Sequence, residues 1–205
     1  MICFLSSCVE DVHRNRTHSE TSLSGIKNGK ILAARYCQAC HLLPDPSLLD
    51  NKDGYPDIVY TCGDNADFSP VLKPYHGVYI FINDKTNHFK QEFFYPINGC
   101  YKAIARDYDG DGDLDIATIS FFADYAHQPE EGFVYFKNTG NFNFMPYTLP
   151  EGKLGRWLTM DAGDIDGDGK IDLVLGNFSI GPVMNKSAVD WKKAPSFILL
   201  KNTGK

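Results

Sequence analysis

From residue 58 onwards, hydrophobic and polar residues alternate in short runs that end in turn-forming residues. The runs are rich in Val, Ile, Tyr and Phe, and clusters of Asn, Asp and Gly separate them. This pattern predicts β-strands joined by tight turns, and therefore an all-β fold. The predicted strands are 58–61, 77–83, 89–95, 100–105, 116–119, 133–138, 142–148, 156–160, 173–175 and 197–202.

The predicted strands recur in sets of similar order and chemistry. The set repeats after 58 residues (57 to 115) and again after 57 residues (115 to 172). Four strands in each unit are typical of propeller blades, although a closed ring needs about four to eight blades. The first unit has no evident inner strand, and the last has no outer strand. The sequence therefore predicts a partial β-propeller of about three four-stranded blades, at 49–98, 99–155 and 156–205.

Acidic runs occupy the turn between the first two strands of the later units. So many carboxylates in one turn repel one another unless a cation lies among them. Calcium, which takes about six to eight oxygen ligands, fits that need. The run in the second unit contains Asp107, Asp109, Asp111, Asp113 and Asp115. The equivalent residues in the third unit are Asp164, Asp166, Asp168, Lys170 and Asp172.

The first unit carries a weaker version of the same run. Asn51, Asp53 and Asp57 align with the later acidic residues, but Leu49 stands where the first Asp would be. Because fewer carboxylates lower calcium affinity, we expect this third site to be weak.

An EF-hand does not explain the acidic runs. That motif needs a bidentate Glu at the end of its loop and a helix after it. The sequence has Thr118 and Leu175 where that Glu would fall, and both lie in predicted strands.

The pattern D-x-D-x-D-G-x-x-D followed by a strand resembles the FG-GAP/VCBS family of β-propeller repeats, over about residues 49–205. The resemblance implies that each acidic run is a calcium-binding hairpin within a blade. One implied ligand set is Asp107, Asp109, Asp111, Asp115 and the backbone carbonyl of Asp113. The other implied set is Asp164, Asp166, Asp168, Asp172 and the backbone carbonyl of Lys170.

A short segment of helical composition, 29–48, precedes the repeats and contains the CxxCH motif of Cys37, Cys40 and His41. This motif is the attachment signal of c-type haem, in which both thiols bind the haem and the His binds the iron. The segment resembles the start of small cytochrome domains that precede propeller repeats in some bacterial exported proteins. A half zinc site, a redox dithiol and inert thiols are the alternatives. No later Met offers a supported distal ligand, so if haem attaches, its pocket is incomplete in this chain.

The first 28 residues are expected to be a signal remnant and linker. Residues 5–8 (LSSC) resemble a bacterial lipobox, which would make Cys8 a lipid anchor, although the basic start and long apolar core of a signal peptide are missing. A frayed apolar end is the alternative. No run of about 20 apolar residues exists, so no transmembrane span is expected.

Charge and residue content argue against two classes of function, nucleic-acid binding and catalysis. The net charge is −6 with no basic stripe, which argues against a nucleic-acid partner. No group of nucleophile and base is evident, since Asp124, His127 and Glu130 fit a solvated loop. Cys62 and Cys100 fall on adjacent blades and could form a disulfide or stay free thiols.

Calcium sites and haem attachment both favour an exported protein, in the periplasm, at the outer membrane or outside the cell. The sequence predicts a non-enzymatic, calcium-binding module that interacts with a protein or a carbohydrate. The alternative is a c-type haem electron-transfer protein, or a subunit of a periplasmic oxidoreductase, with a redox partner.

Overall fold

The computed structural model of the chain describes residues 54–63, 72–179 and 190–204, and all of them belong to one compact unit, Leu48–Lys205. The predicted N-terminal segments, 1–28 and 29–48, lie outside the described residues, as do Asn51 and Asp53 of the first acidic run. Among the described residues, no helix is long and apolar enough to cross a membrane.

Three antiparallel sheets make up the described fold, and the strands of each sheet follow one another in chain order. The first sheet contains β1 (Ile58–Cys62), β2 (Gly77–Asn83) and β3 (Phe89–Pro96). The second contains β4 (Cys100–Arg106), β5 (Asp115–Ser120), β6 (Phe133–Asn138) and β7 (Phe144–Thr148). The third contains β8 (Trp157–Gly163), β9 (Asp172–Asn177) and β10 (Phe197–Leu200).

The structure confirms the predicted all-β class and the ten predicted strands. Within the described ranges, the first and third sheets have three strands each and the second sheet has four. Most strand boundaries differ from the prediction by one to three residues, and two strands are two residues shorter at one end than predicted. The strand predicted from residue 142 begins at Phe144, because Asn141 and Phe142 adopt left-handed backbone angles (φ 53° and 57°) in the turn. The last strand ends at Leu200, two residues early.

Strands β4 and β8 share an irregularity that marks them as equivalent. The pairing register shifts between Cys100 and Lys102 in β4, and between Trp157 and Thr159 in β8. Each shift inserts one extra residue at the start of the strand, which is the signature of a β-bulge. The sequence repeat is therefore also a repeat in backbone geometry.

Strand β5 is buried along its whole length because the flanking sheets cover both of its faces. Ile116 packs into a core with side chains of the first sheet, and Ala117 and Ile119 pack into a core with the third. Val59, Val78 and Ile80 are among the first-sheet members of the first core. Trp157, Met160, Leu173 and Leu175 are the third-sheet members of the second core. Such two-sided burial explains the nearly uninterrupted apolar run in this strand.

Polar contacts also join neighbouring sheets. Thr61 donates its hydroxyl to the carbonyl oxygen of Tyr101 at 3.0 Å, from the first sheet to the second. Lys102 donates its ammonium to the carbonyl oxygen of Met160 at 2.6 Å, from the second sheet to the third. The sheets therefore pack face to face in chain order.

Both tryptophans are packing residues. Trp157 is fully buried, and its indole N–H donates to the carbonyl oxygen of Gly152 at 2.6 Å. Trp191 is also buried and meets the ring of Tyr125 edge to face.

Candidate metal centre

Two acidic loops lie at equivalent places in the second and third sheets. The β4–β5 loop (107–114) joins the paired residues Arg106 and Asp115. The β8–β9 loop (164–171) joins the paired residues Gly163 and Asp172. Each loop is therefore the tip of a hairpin between the first two strands of its sheet, which confirms the position that the sequence predicts.

The β4–β5 loop folds around the carboxylate of its first residue. Asp107 accepts backbone N–H bonds from Gly110 at 2.8 Å and from Gly112 at 2.9 Å. Further along, Asp109 accepts from the N–H of Asp111 at 3.2 Å. These bonds hold the carboxylates of Asp107 and Asp109 against the backbone of the turn, while Asp109 and Asp111 remain exposed.

The β8–β9 loop repeats this pattern residue for residue. Asp164 accepts from the N–H groups of Gly167 at 2.7 Å and Gly169 at 2.9 Å. Asp166 in turn accepts from the N–H of Asp168 at 3.2 Å. Two loops of different sequence thus reach one hydrogen-bonded geometry.

Glycine is required at the sixth position of each loop. Gly112 and Gly169 have φ of 90° and 83°, in the left-handed region that favours glycine. Gly54, the equivalent residue of the first acidic run, has φ of 80°. The first run therefore keeps the same turn at this position, although it has fewer carboxylates.

Each full loop brings three carboxylates together. One oxygen from each of Asp107, Asp109 and Asp111 lies within 4.8 Å of the others. The cluster in the other loop contains Asp164, Asp166 and Asp172, again within 4.8 Å. Asp115 and Asp168, which the family resemblance implies as ligands, are outside these clusters, and so is the Asp113 side chain.

The last aspartate of each run has a second role that the sequence analysis did not predict. Asp115 is fully buried and accepts a hydrogen bond at 2.7 Å from the backbone N–H of Asn138, at the end of β6. The side-chain amide of Asn138 donates back to the carbonyl oxygen of Leu114 at 3.2 Å. We call this two-way contact the Asp–Asn clasp.

The Asp–Asn clasp occurs in all three sheets. Asp57 accepts from the N–H of Asn83 at 2.9 Å, and Asp172 accepts from the N–H of Asn202 at 2.8 Å. In both cases the Asn side chain donates at 3.3 Å to the carbonyl oxygen just before the Asp. In the second and third sheets the clasp joins the start of the second strand to the end of the third, and in the first sheet it joins the start of β1 to the end of β2. The clasp therefore fixes the end of the acidic run in each sheet.

Burial raises the pKa of Asp115 above its ordinary value, although three hydrogen bonds oppose that shift. The Tyr135 hydroxyl donates at 2.6 Å, and the N–H groups of Asn138 and Tyr108 also donate. The burial and the nearby carboxylate likewise raise the pKa of the Tyr135 hydroxyl. The phenol therefore remains a hydrogen-bond donor to Asp115 at neutral pH.

A lysine contacts the third residue of each full loop. Lys137 in β6 forms an ion pair with Asp109, and Lys201, just after β10, forms one with Asp166. Partial burial is the largest single effect and raises the pKa of Asp109, but the hydrogen bond and charge of Lys137, together with the hydrogen bonds from Asp111, lower that pKa below its ordinary value. The hydrogen bond from Lys201 lowers the pKa of Asp166. Both carboxylates are therefore held in the charged form that binds cations.

Sequence reasoning missed the clasp asparagines and these lysines, although a signal for them exists. Lys137-Asn138 and Lys201-Asn202 are the same dipeptide at the end of equivalent strands, and each is followed by Thr-Gly. The repetition of this dipeptide indicates a shared role. The sequence does not show which residues the dipeptide contacts, because those contacts depend on how the strands pair.

The predicted polar loop after β5 is more ordered than expected. Asp124 is buried and binds the Nδ1 atom of the exposed His127 at 2.9 Å. Glu130 forms an ion pair with Lys153 at 3.5 Å, while Glu131 accepts from both nitrogens of Asn98, which precedes β4. These contacts tie the loop to the sheets.

Of the remaining predicted site residues, some are described by the structure and the others lie outside the described ranges. Cys62 and Cys100 are free thiols, so the structure does not contain the disulfide that the sequence left open. Lys170, implied as a carbonyl ligand, donates its backbone N–H to Asp168 at 3.0 Å. The haem residues Cys37, Cys40 and His41, and the anchor residue Cys8, lie outside the described residues.

Comparison with known protein families agrees with this geometry. Residues 51–118 match the family model of the FG-GAP-like repeat. The match covers the first sheet, the β4–β5 loop and the start of β5. The third sheet lies beyond the match, yet its loop has the same hydrogen bonds. No curated protein matches the sequence.

Proposed function

We propose that this chain is a calcium-binding β-propeller repeat module that acts by binding a protein or a carbohydrate, without catalysis of its own. The observation that carries the proposal is the recurrence of a three-carboxylate cluster at the same hairpin tip in two successive sheets. The match to the FG-GAP-like repeat supports the interaction role and the propeller type.

The donor set of the loops fits a hard divalent cation. All candidate side-chain ligands are carboxylate oxygens, which calcium prefers over nitrogen or sulfur. Asp107, Asp109 and Asp111 would hold the ion in the β4–β5 loop, with the carbonyl of Asp113. Asp115 could join them, because a carboxylate oxygen that accepts one hydrogen bond keeps a further lone pair.

The second site would use the β8–β9 loop in the same way. Asp164, Asp166 and Asp172 are already close together, and Asp168 and the Lys170 carbonyl would complete the set. Asp172 also belongs to the Asp–Asn clasp, so an ion held there would brace β9 against the end of β10.

Calcium in these loops would be structural. An ion that binds the folded chain, and not the unfolded one, stabilises the fold in proportion to the logarithm of its concentration. It would also remove the repulsion between neighbouring carboxylates. Weak sites fill where calcium is abundant, which is outside the cytoplasm. This supports an exported protein, in the periplasm or at the outer surface.

Thermal unfolding tests the calcium proposal. The full chain should melt at a higher temperature in millimolar calcium than in a chelator. Asp107→Asn and Asp164→Asn should each reduce that difference. Glu92→Gln removes one negative charge from the exposed strand β3 and is the control, with the full difference retained. Equal melting temperatures with and without calcium would count against both sites.

Electron transfer by a c-type haem is a second candidate function, because Cys37, Cys40 and His41 have the spacing of the attachment signal. Expression in a host that matures cytochromes c should then yield a covalent haem that survives acid–acetone extraction. Cys37→Ala together with Cys40→Ala should abolish the attachment. A wild-type chain without covalent haem would exclude this function.

A further inference from the structure

The two lysines that contact the acidic loops occupy equivalent positions. Lys137 and Lys201 each precede the asparagine of an Asp–Asn clasp, Asn138 and Asn202. Each ammonium contacts the Oδ2 atom of the third loop residue, which is Asp109 in one case and Asp166 in the other. Lys201 also lies 3.9 Å from the Oδ2 atom of Asp168.

These contacts come from the neighbouring strand and not from the loop itself. The β4–β5 loop precedes β5, and Lys137 reaches it from β6, 28 residues further along the chain. Because the clasp fixes the end of β6 next to the loop, the backbone of Lys137 is held close to Asp109. A chance surface contact would not recur with the same partner position in the third sheet.

The first sheet differs at this position. The residue before its clasp asparagine Asn83 is Ile82, which carries no charge. The first acidic run also has fewer carboxylates, since Leu49 and Asn51 replace two aspartates. A lysine therefore accompanies each of the two loops that have the most negative charge, and an aliphatic residue replaces it beside the run of lower charge.

An ammonium and a divalent ion compete for one carboxylate. Two positive charges near the same oxygen repel each other, so calcium bound to Asp109 would have to displace Lys137 or tolerate it nearby. The lysine also lowers the repulsion among the loop carboxylates when no ion is present. Both effects weaken calcium binding, the first by repulsion and the second by stabilising the ion-free loop.

We propose that Lys137 and Lys201 are internal counter-ions that set the calcium affinity of the two loops. This inference rests on the proposed calcium function. It assigns the regulation of affinity to side chains outside the D-x-D-x-D-G-x-x-D pattern. The lysines would keep the hairpins folded at low calcium and make the sites respond to high calcium concentrations.

Calcium titration calorimetry on the full chain tests this inference. Lys137→Met and Lys201→Met should each tighten calcium binding at one loop by about 2- to 5-fold, since exposed charge pairs contribute modestly. Lys137→Arg should keep the wild-type affinity because it keeps the charge. Lys153→Met is the control, because Lys153 is similarly exposed and pairs with Glu130, away from the loops.

Thermal unfolding of the same variants gives a second readout. Without calcium, Lys137→Met should melt below the wild type, and with calcium its stabilisation should be larger. The single variants keep the other loop intact, so a folded sample is expected in each case. Unchanged affinity in both Met variants, with measurable wild-type binding, would overturn the counter-ion role. Absence of calcium binding in the wild type and in every variant would instead overturn the calcium function itself.

Discussion

Asn202 donates its side-chain amide to the backbone carbonyl oxygen of Tyr108 at 2.6 Å. Tyr108 lies in the β4–β5 loop, whereas Asn202 closes the Asp–Asn clasp on Asp172 of the third sheet. One asparagine therefore connects two acidic loops that are far apart in the sequence.

Asn202→Ala should destabilise the chain by about 1–2 kcal/mol. The substitution removes the side-chain bonds to the carbonyl oxygens of Tyr108 and Ile171, which are then left without these donors. Urea unfolding measures the effect. Asn143→Ala is the control, because its exposed amide makes a local bond to Gly140, and it should change stability much less. Equal effects of the two substitutions would show that the link between the loops does not matter.

Tyr135→Phe should lower the free energy of unfolding by about 1.5–3 kcal/mol, because it removes a 2.6 Å hydrogen bond to the buried carboxylate of Asp115. Chemical denaturation at neutral pH measures this loss. Tyr147→Phe is a matched control, since Tyr147 faces Tyr135 across β6 and β7 but is exposed. A loss for Tyr135→Phe no larger than that of the control would contradict the role assigned to this hydroxyl.

Arg156→Lys should lower stability by about 1–2 kcal/mol. The Arg156 guanidinium is buried, lies 3.8 Å from the ring centroid of Phe121, and donates through Nε to the Phe121 carbonyl oxygen at 3.2 Å. A lysine ammonium lacks the planar shape that both contacts use. Arg106→Lys, at a less buried site, is the comparison and should be tolerated. Equal stability of Arg156→Lys and the wild type would refute this account of the arginine.

Low pH should reduce the stability that Asp84 contributes in the turn between β2 and β3. Hydrogen bonds from Thr86, followed by that from the His88 N–H, lower the pKa of Asp84 to about 2 in the folded chain. A carboxyl group whose pKa is lower in the folded chain than in the unfolded chain stabilises the fold at pH values above its unfolded pKa. That stabilisation is lost as the pH falls through the folded pKa. The difference in urea midpoint between the wild type and Asp84→Asn should therefore shrink from pH 5 towards pH 2. A difference independent of pH would contradict this.

The strands and their period could be predicted from the sequence because both depend on local patterns. Alternating residues determine which face of a strand is buried, and Asp-Gly turns determine where the hairpins lie. The acidic loops are also continuous in sequence, so their position in the hairpins could be predicted. The match of residues 51–118 to the FG-GAP-like repeat agrees with that prediction.

The contacts that complete the loops could not be predicted in the same way. Asp115 binds Asn138, and Asp109 binds Lys137, only because β5 and β6 pair in one particular register. The register follows from the packing of the whole sheet. Sequence reasoning treated Asp115 as a ligand alone, whereas its burial and its clasp give it a structural role as well.

Equilibrium dialysis of the purified full chain against calcium tests the central claim most directly. The account predicts two ions per chain in the full loops and a weaker third in the first acidic run. It also predicts that Asp107→Asn and Asp164→Asn each remove one of the two. Binding of less than one ion per chain, or a stoichiometry that neither substitution changes, would contradict it.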